Sequence, residues 1–167
     1  MIKIEGLDFE SKAKLYNYLN LKVIGLVCEK CDWLSSLANV SAMLWVVLKD
    51  INWAGFYLYK NDELVLGPFQ GKPACTNIAL GKGVCGAAAT KLETQLVKNV
   101  HEFEGHIACD SASKSEIVIP IIKDNRLIGV LDIDSPIYDR FDEEDRAGLE
   151  RLVDILTNYI IFPEKFI

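Results

Sequence analysis

Two pairs of strand-like segments, each folded back across a gap too short to hold a helix, limit this chain to an antiparallel sheet. The first pair is Trp53-Ala-Gly-Phe-Tyr-Leu-Tyr59 and Leu64-Val-Leu-Gly-Pro-Phe69, with Asn61-Asp62 between them. The second is Ile117-Val-Ile-Pro-Ile-Ile122 and Leu127-Ile-Gly-Val-Leu-Asp-Ile133, separated by Lys123-Asp-Asn-Arg126. Aromatic and β-branched residues favour strands, Asn and Asp favour tight turns, and a parallel pairing would need a crossover of roughly a dozen residues.

Helices bracket the hairpins. Leu34, Leu37, Ala38, Ser41, Leu44, Trp45 and Leu48 recur at spacings of three and four, which predicts a helical stripe packed on something flat. Asp142 reads as a helix N-cap followed by acids in the first turn, with Leu149, Leu152, Val153, Leu156 and Ile160 on one face. Gly81-Lys-Gly-Val-Cys-Gly86 predicts a glycine turn feeding a short helix over 84–92. The sum is an α+β fold: one domain over residues 1–167, with a central antiparallel sheet flanked by N- and C-terminal helices. A chain of 167 residues, 50% hydrophobic and 25% charged, suits a single globular unit with a substantial core.

Charge narrows the partners. The net charge of −6 disfavours nucleic acid and anionic membranes, both of which need a basic surface. The N-terminus lacks the pattern of a secretory signal, and no apolar run reaches the ~18–20 residues of a membrane span, which predicts a cytoplasmic protein. In a reducing compartment five cysteines do not make a structural disulfide framework, so each is weighed as core filler, metal ligand or redox group.

Gly81-Lys-Gly-Val-Cys-Gly86 is a literal G-x-G-x-x-G, but the dinucleotide reading needs a buried parallel strand before it, and Thr76-Asn-Ile-Ala-Leu80 is short and polar at its start. The same turn places Cys85 near a helix N-terminus, where the macrodipole favours a thiolate. Cys28-Glu-Lys-Cys31 is a C-x-x-C pair with no strand before it and no second ligand pair nearby, so a redox couple or zinc site lacks support around it. His101 and His106 precede Cys109 closely enough for a Cys–His pair to be weighed against solvated loop histidines.

Acids on the last strand carry more information. In Leu131-Asp-Ile-Asp134 side chains alternate, so Asp132 and Asp134 share one face while Leu131 and Ile133 take the other. A partly buried pair of carboxylates repels itself, which raises a pKa and makes a proton donor or a cation seat. Glu116 joins them if the turn holds three residues and pairs Lys123 with Leu127; a two-residue turn sends Glu116 to the opposite face.

The glycine turn at 81–86, Glu116-Ile-Val-Ile-Pro120, Leu127-Ile-Gly-Val-Leu-Asp132 and Phe141-Asp-Glu-Glu-Asp145 resemble a GAF domain over nearly the whole chain. More narrowly, Trp53-Ala-Gly-Phe-Tyr57, the segment 66–75 ending in Cys75, Gly83-Val-Cys85, the segment from His106 to Glu116 and Asp132-Ile-Asp-Ser135 resemble the free methionine-(R)-sulfoxide reductases. The resemblance implies Cys109 as nucleophile, Cys75 as resolving cysteine and Cys85 as a third active-site cysteine, with Cys85 the rival for first attack. It implies that Glu116, Asp132 and Asp134 bind the ammonium group or the sulfoxide oxygen, and that Trp53 and Tyr57 wall the methyl–sulfur end. It further implies a disulfide recycled by thioredoxin, with no cofactor and no metal. The exposed apolar face and N-terminal helix are compatible with a homodimer. A non-catalytic GAF sensor and a zinc-binding structural module are the competing classes; cysteines in pocket loops and the want of an output module speak against the first.

Overall fold

The computed structural model describes residues 8–27, 31–105 and 111–164. Helix α1 (Lys12–Leu26) begins at Ser11, whose hydroxyl accepts the Lys14 amide, and α2 (Trp33–Val47) begins at Asp32, whose carboxylate accepts the Ser35 amide. The first hairpin is β1 (Trp53–Lys60) and β2 (Glu63–Gly71). Next come β3 (Asn77–Ala79), α3 (Gly83–Lys91), β4 (Gln95–Val97) and a single 3-10 turn at Val100–Glu102. The second hairpin is β5 (Ser115–Lys123) and β6 (Arg126–Ser135), and α4 (Glu143–Tyr159) closes the fold. The strands form one six-stranded sheet in the order β3-β2-β1-β6-β5-β4. Every pairing in it is antiparallel. The sequence reading anticipated the two hairpins; the two three-residue edge strands are too short to announce themselves by alternation.

Both hairpin turns hold two residues at positive φ, Asn61-Asp62 and Asp124-Asn125, the geometry of the type I′ turn that matches strand twist. The second turn therefore differs from the three-residue form on which the placement of Glu116 depended. Lys123 pairs with Arg126 and Ile122 with Leu127, but Ile121 pairs with Gly129. Ile128 is the extra residue of a β-bulge. It shifts the register by one, so that Glu116 faces Asp134 after all.

Helices α2 and α4 pack on one face of the sheet, and α1 packs against both of them. Ala54, Phe56, Leu58, Ile117, Ile119, Ile121, Leu131 and Ile133 join Leu19, Val23, Leu37, Leu44, Leu149 and Leu156 in the main core. The buried side of α2 is rotated from the expected stripe: Leu37, Ser41, Leu44 and Leu48 are buried as expected, but Leu34, Ala38 and Trp45 are exposed, and Val40, Met43 and Val47 are buried. A helix this apolar has no unique wet side by pattern alone. Ser41 lies on the covered side, its hydroxyl 3.0 Å from both the Leu37 and Pro68 carbonyl oxygens.

The C-terminal helix carries the expected Asp142 N-cap as a full capping box with Asp145. Asp145 is almost completely buried and also accepts from Tyr16 Oη at 2.8 Å and Lys12 Nζ at 2.5 Å. Arg140 Nη1 lies 3.4 Å from the same carboxylate. One side chain thus ties the start of α4 to α1.

Candidate active site

The sheet face opposite the three helices positions the acids. Trp53 on β1, Asp134 on β6 and Glu116 on β5 are direct register partners, and Gly55, Asp132 and Val118 form the next such row. Partners directly across a ladder share a face, so Glu116, Asp132, Asp134, Trp53 and Tyr57 all stand on this side. Helix α3 lies over them and brings in Cys85 from its first turn.

The result is a cleft of about 550 Å³, open solvent at its mouth included. It is lined by Trp53, Tyr57, Cys85, Glu116, Asp132 and Asp134 together with Lys72, Ile78, Lys82, Val84 and Ser113 among others. The last five were not singled out from the sequence: two lysines at a loop and a helix start, two aliphatics and a buried serine carry no pattern that distinguishes them from surface or core.

Cys85, Glu116 and Asp132 are buried to 4%, 6% and 5% exposure. Cys85 Sγ donates to Glu116 Oε1 at 3.9 Å. Burial, then the repulsion of Asp132 and Asp134, pushes the Glu116 carboxyl well above the usual carboxylate range. Burial raises Asp132 to about 6, opposed by hydrogen bonds from Cys85 and Glu116. Two carboxyls so close cannot both ionise cheaply, so the pair holds a proton near neutral pH, with Glu116 the stronger holder. The Cys85 thiol is also pushed well up, by burial first and then by Asp132 and Glu116. That outweighs the helix-dipole argument for a Cys85 thiolate, because a dipole of about half a charge cannot offset complete burial beside anions.

The ligand atoms of Cys85, Glu116 and Asp132 lie within 4.8 Å of one another, a spacing that admits a metal ion. A metal there would have to displace protons from all three groups, whose hold on them burial strengthens in its absence.

Cys75 is disulfide-bonded and half-buried on the loop after β2, and its carbonyl oxygen accepts a 3.0 Å hydrogen bond from Tyr57 Oη. Cys31, the second cysteine of the C-x-x-C pair, is disulfide-bonded as well, just before α2, and Cys85 is a free thiol. Cys109, His106 and Cys28 lie outside the described residues. His101 stands on the exposed 3-10 turn with its ring edge-on to Tyr138 at 6.4 Å, and it does not line the cleft. The strand before the glycine turn is the three-residue β3, paired antiparallel to β2, so the dinucleotide reading has no parallel strand to rest on.

Residues 35–160 match the GAF domain family. The chain belongs to it. Within this GAF family, the free methionine-R-sulfoxide reductase of Escherichia coli is 52% identical over 143 residues, covering 86% of this chain and 87% of that protein. The enzyme of the same name from Saccharomyces cerevisiae is 45% identical, covering 91% of this chain and 89% of its own. A solved structure of free methionine-R-sulfoxide reductase from Neisseria meningitidis in complex with its substrate superposes with a TM-score of 0.87 at 44% identity, covering 92% of each chain. No helix among the described residues of this GAF protein is long and apolar enough to cross a membrane.

Proposed function

We propose that this protein reduces free methionine-(R)-sulfoxide to methionine by thiol chemistry in the cytoplasm. The observation that carries the reading is the buried Glu116–Asp132 pair in a cleft lined also by Trp53, Tyr57 and Cys85, where burial strengthens the carboxyls' hold on a proton. Sulfoxide reduction needs that proton together with a soft nucleophile at sulfur. The Cys109 thiolate attacks the sulfoxide sulfur, Glu116 protonates the oxygen, methionine departs with its sulfur reduced, and Cys109 is left oxidised as a sulfenic acid. Cys75 condenses with it, releasing water and forming a disulfide, and an external dithiol such as thioredoxin reduces that disulfide by exchange. The disulfide-bonded state of Cys75 supports this role.

Asp134 and the ionised member of the pair attract the substrate ammonium. A peptide-bound residue offers only a neutral amide there, which favours the free amino acid. Leu21 and Ile24 on the outer side of α1, 70% and 38% exposed, are the apolar positions a homodimer would cover. The reductase reading is tested by following NADPH consumption with thioredoxin and thioredoxin reductase on the free R and S sulfoxides and on a peptide substrate. Turnover confined to the free R form is expected; equal rates on the peptide would overturn it.

Asp132→Asn gives an opposite pair of effects. A folded-state pKa of about 6 against 3.8 unfolded means that ionising Asp132 destabilises the fold progressively from about pH 4 to pH 6 and fully above that. Replacing it should therefore stabilise the protein by roughly 1–3 kcal/mol at pH 8 and by nothing at pH 3.5, read from urea unfolding. Removing the neighbouring charge also lowers the Glu116 pKa, so the alkaline fall of kcat/KM should move to lower pH in this variant. A destabilised Asp132→Asn protein at pH 8, or an unmoved alkaline limb, would remove the proton-sharing pair from the account.

A further inference from the structure

The cleft grades from mouth to floor. Lys82 is exposed and Asp134 half-buried, while Glu116 and Asp132 are 6% and 5% exposed. All four line it. Lys82 is the N-cap of α3 and Cys85 the third residue of that helix, two positions that lie over the same side of a first turn. Cys85 Sγ in turn reaches Glu116 Oε1 at 3.9 Å. The wall that touches the buried acids at its inner end therefore carries a cation at its outer end.

That cation is uncommitted. Lys82 makes no capping hydrogen bond and enters no ion pair among the described residues, whereas Lys72, the other lysine of the cleft, already has a partner. Nothing in α3 itself calls for a lysine at this position, since its side chain has no acceptor for the first amides and its charge sits where the helix dipole favours an anion.

A free amino acid carries its ammonium and its carboxylate on one carbon. With the ammonium drawn to Asp134, a carboxylate turned inward would meet the ionised member of the Glu116–Asp132 pair and be repelled, so only the neutral sulfoxide end can go to the floor. The carboxylate is left at the mouth, where Lys82 stands. We propose that Lys82 pairs with the α-carboxylate of the free amino acid and so sets the direction in which the substrate enters. This deepens the reductase reading and rests on it. It also draws a distinction that the acids alone cannot make: the N-terminal residue of a peptide keeps an ammonium for Asp134 but has a neutral amide where Lys82 needs an anion.

The test compares wild type, Lys82→Met and Lys82→Arg on two substrates with dithiothreitol as reductant. One is free methionine-(R)-sulfoxide; the other is the (R)-sulfoxide of 3-(methylthio)propylamine, which keeps the ammonium and the sulfoxide and lacks the carboxylate. Wild type should lose about 10- to 100-fold in kcat/KM when the carboxylate is taken from the substrate, the range for a hydrogen bond between charged groups. Lys82→Met should lose about as much on the amino acid and less than about twofold on the amine, while Lys82→Arg, which keeps the charge, should stay within about fivefold of wild type on both. Equal losses on the two substrates in Lys82→Met, or an undiminished preference for the amino acid in that variant, would overturn the assignment. A wild-type protein that does not reduce the free sulfoxide would instead defeat the reductase reading itself, so the two failures are distinguishable.

Discussion

Cys109→Ser is expected to abolish reduction of free methionine-(R)-sulfoxide, lowering kcat by at least about a thousandfold, because a serine hydroxyl is neither soft nor ionised near neutral pH and cannot carry the sulfenic acid. Cys75→Ser should behave differently. Its first half-reaction is intact, so each enzyme molecule should release one methionine in a single-turnover assay and then stall for want of a resolving thiol. Cys85 enters the same experiment as a control on the order of events. Its thiol is held protonated by burial beside Glu116 and Asp132, so it is a poor first nucleophile, and Cys85→Ser should retain the single-turnover burst. A Cys109→Ser protein that turns over normally would transfer the nucleophilic role elsewhere.

Asp145→Ala should cost about 3–5 kcal/mol of unfolding free energy, the range for breaking a buried ionic network on one side. The carboxylate accepts from Tyr16 Oη and Lys12 Nζ, faces Arg140 at 3.4 Å and accepts the Asp142 amide at 2.9 Å. Truncation leaves the buried Tyr16 phenol without its acceptor and Arg140 without the carboxylate it faces, and it opens the α4 capping box, while Lys12 keeps Asp142 at 2.7 Å. Burial, the largest cause of the raised Tyr16 pKa, persists in the variant, so the hydroxyl cannot compensate by ionising. For a chain of this size the midpoint should drop by about 10 °C or more. Tyr16→Phe, which removes one donor only, should lose roughly 1 kcal/mol. Urea unfolding of both variants checks the ordering, and an Asp145→Ala protein within about 0.5 kcal/mol of wild type would show the network to be dispensable.

The hairpins were legible because alternation and turn chemistry are local, and Asn61-Asp62 and Asp124-Asn125 take the left-handed conformations their side chains tolerate. The Asp142 cap was legible for the same reason. Asp132 and Asp134 were placed on one face by counting alone, and the glycine turn at 81–86 with the segments 116–120, 127–132 and 141–145 marked the GAF family, which the match over residues 35–160 establishes. The buried side of α2 was only partly legible because nearly every side of that helix is apolar, and its contacts with distant strands set which of those sides is covered.

What the chain's own order of residues determined, then, is the set of elements, the shared face of two acids and the family. What only tertiary structure decided is the working state of the site. The bulge at Ile128 brings Glu116 opposite Asp134, α3 closes over the carboxyls, and their burial turns ordinary acids into proton holders and Cys85 into an un-ionised thiol. Register shifts and burial are properties of what comes to lie alongside a residue, and neither is encoded within the few positions on either side of it.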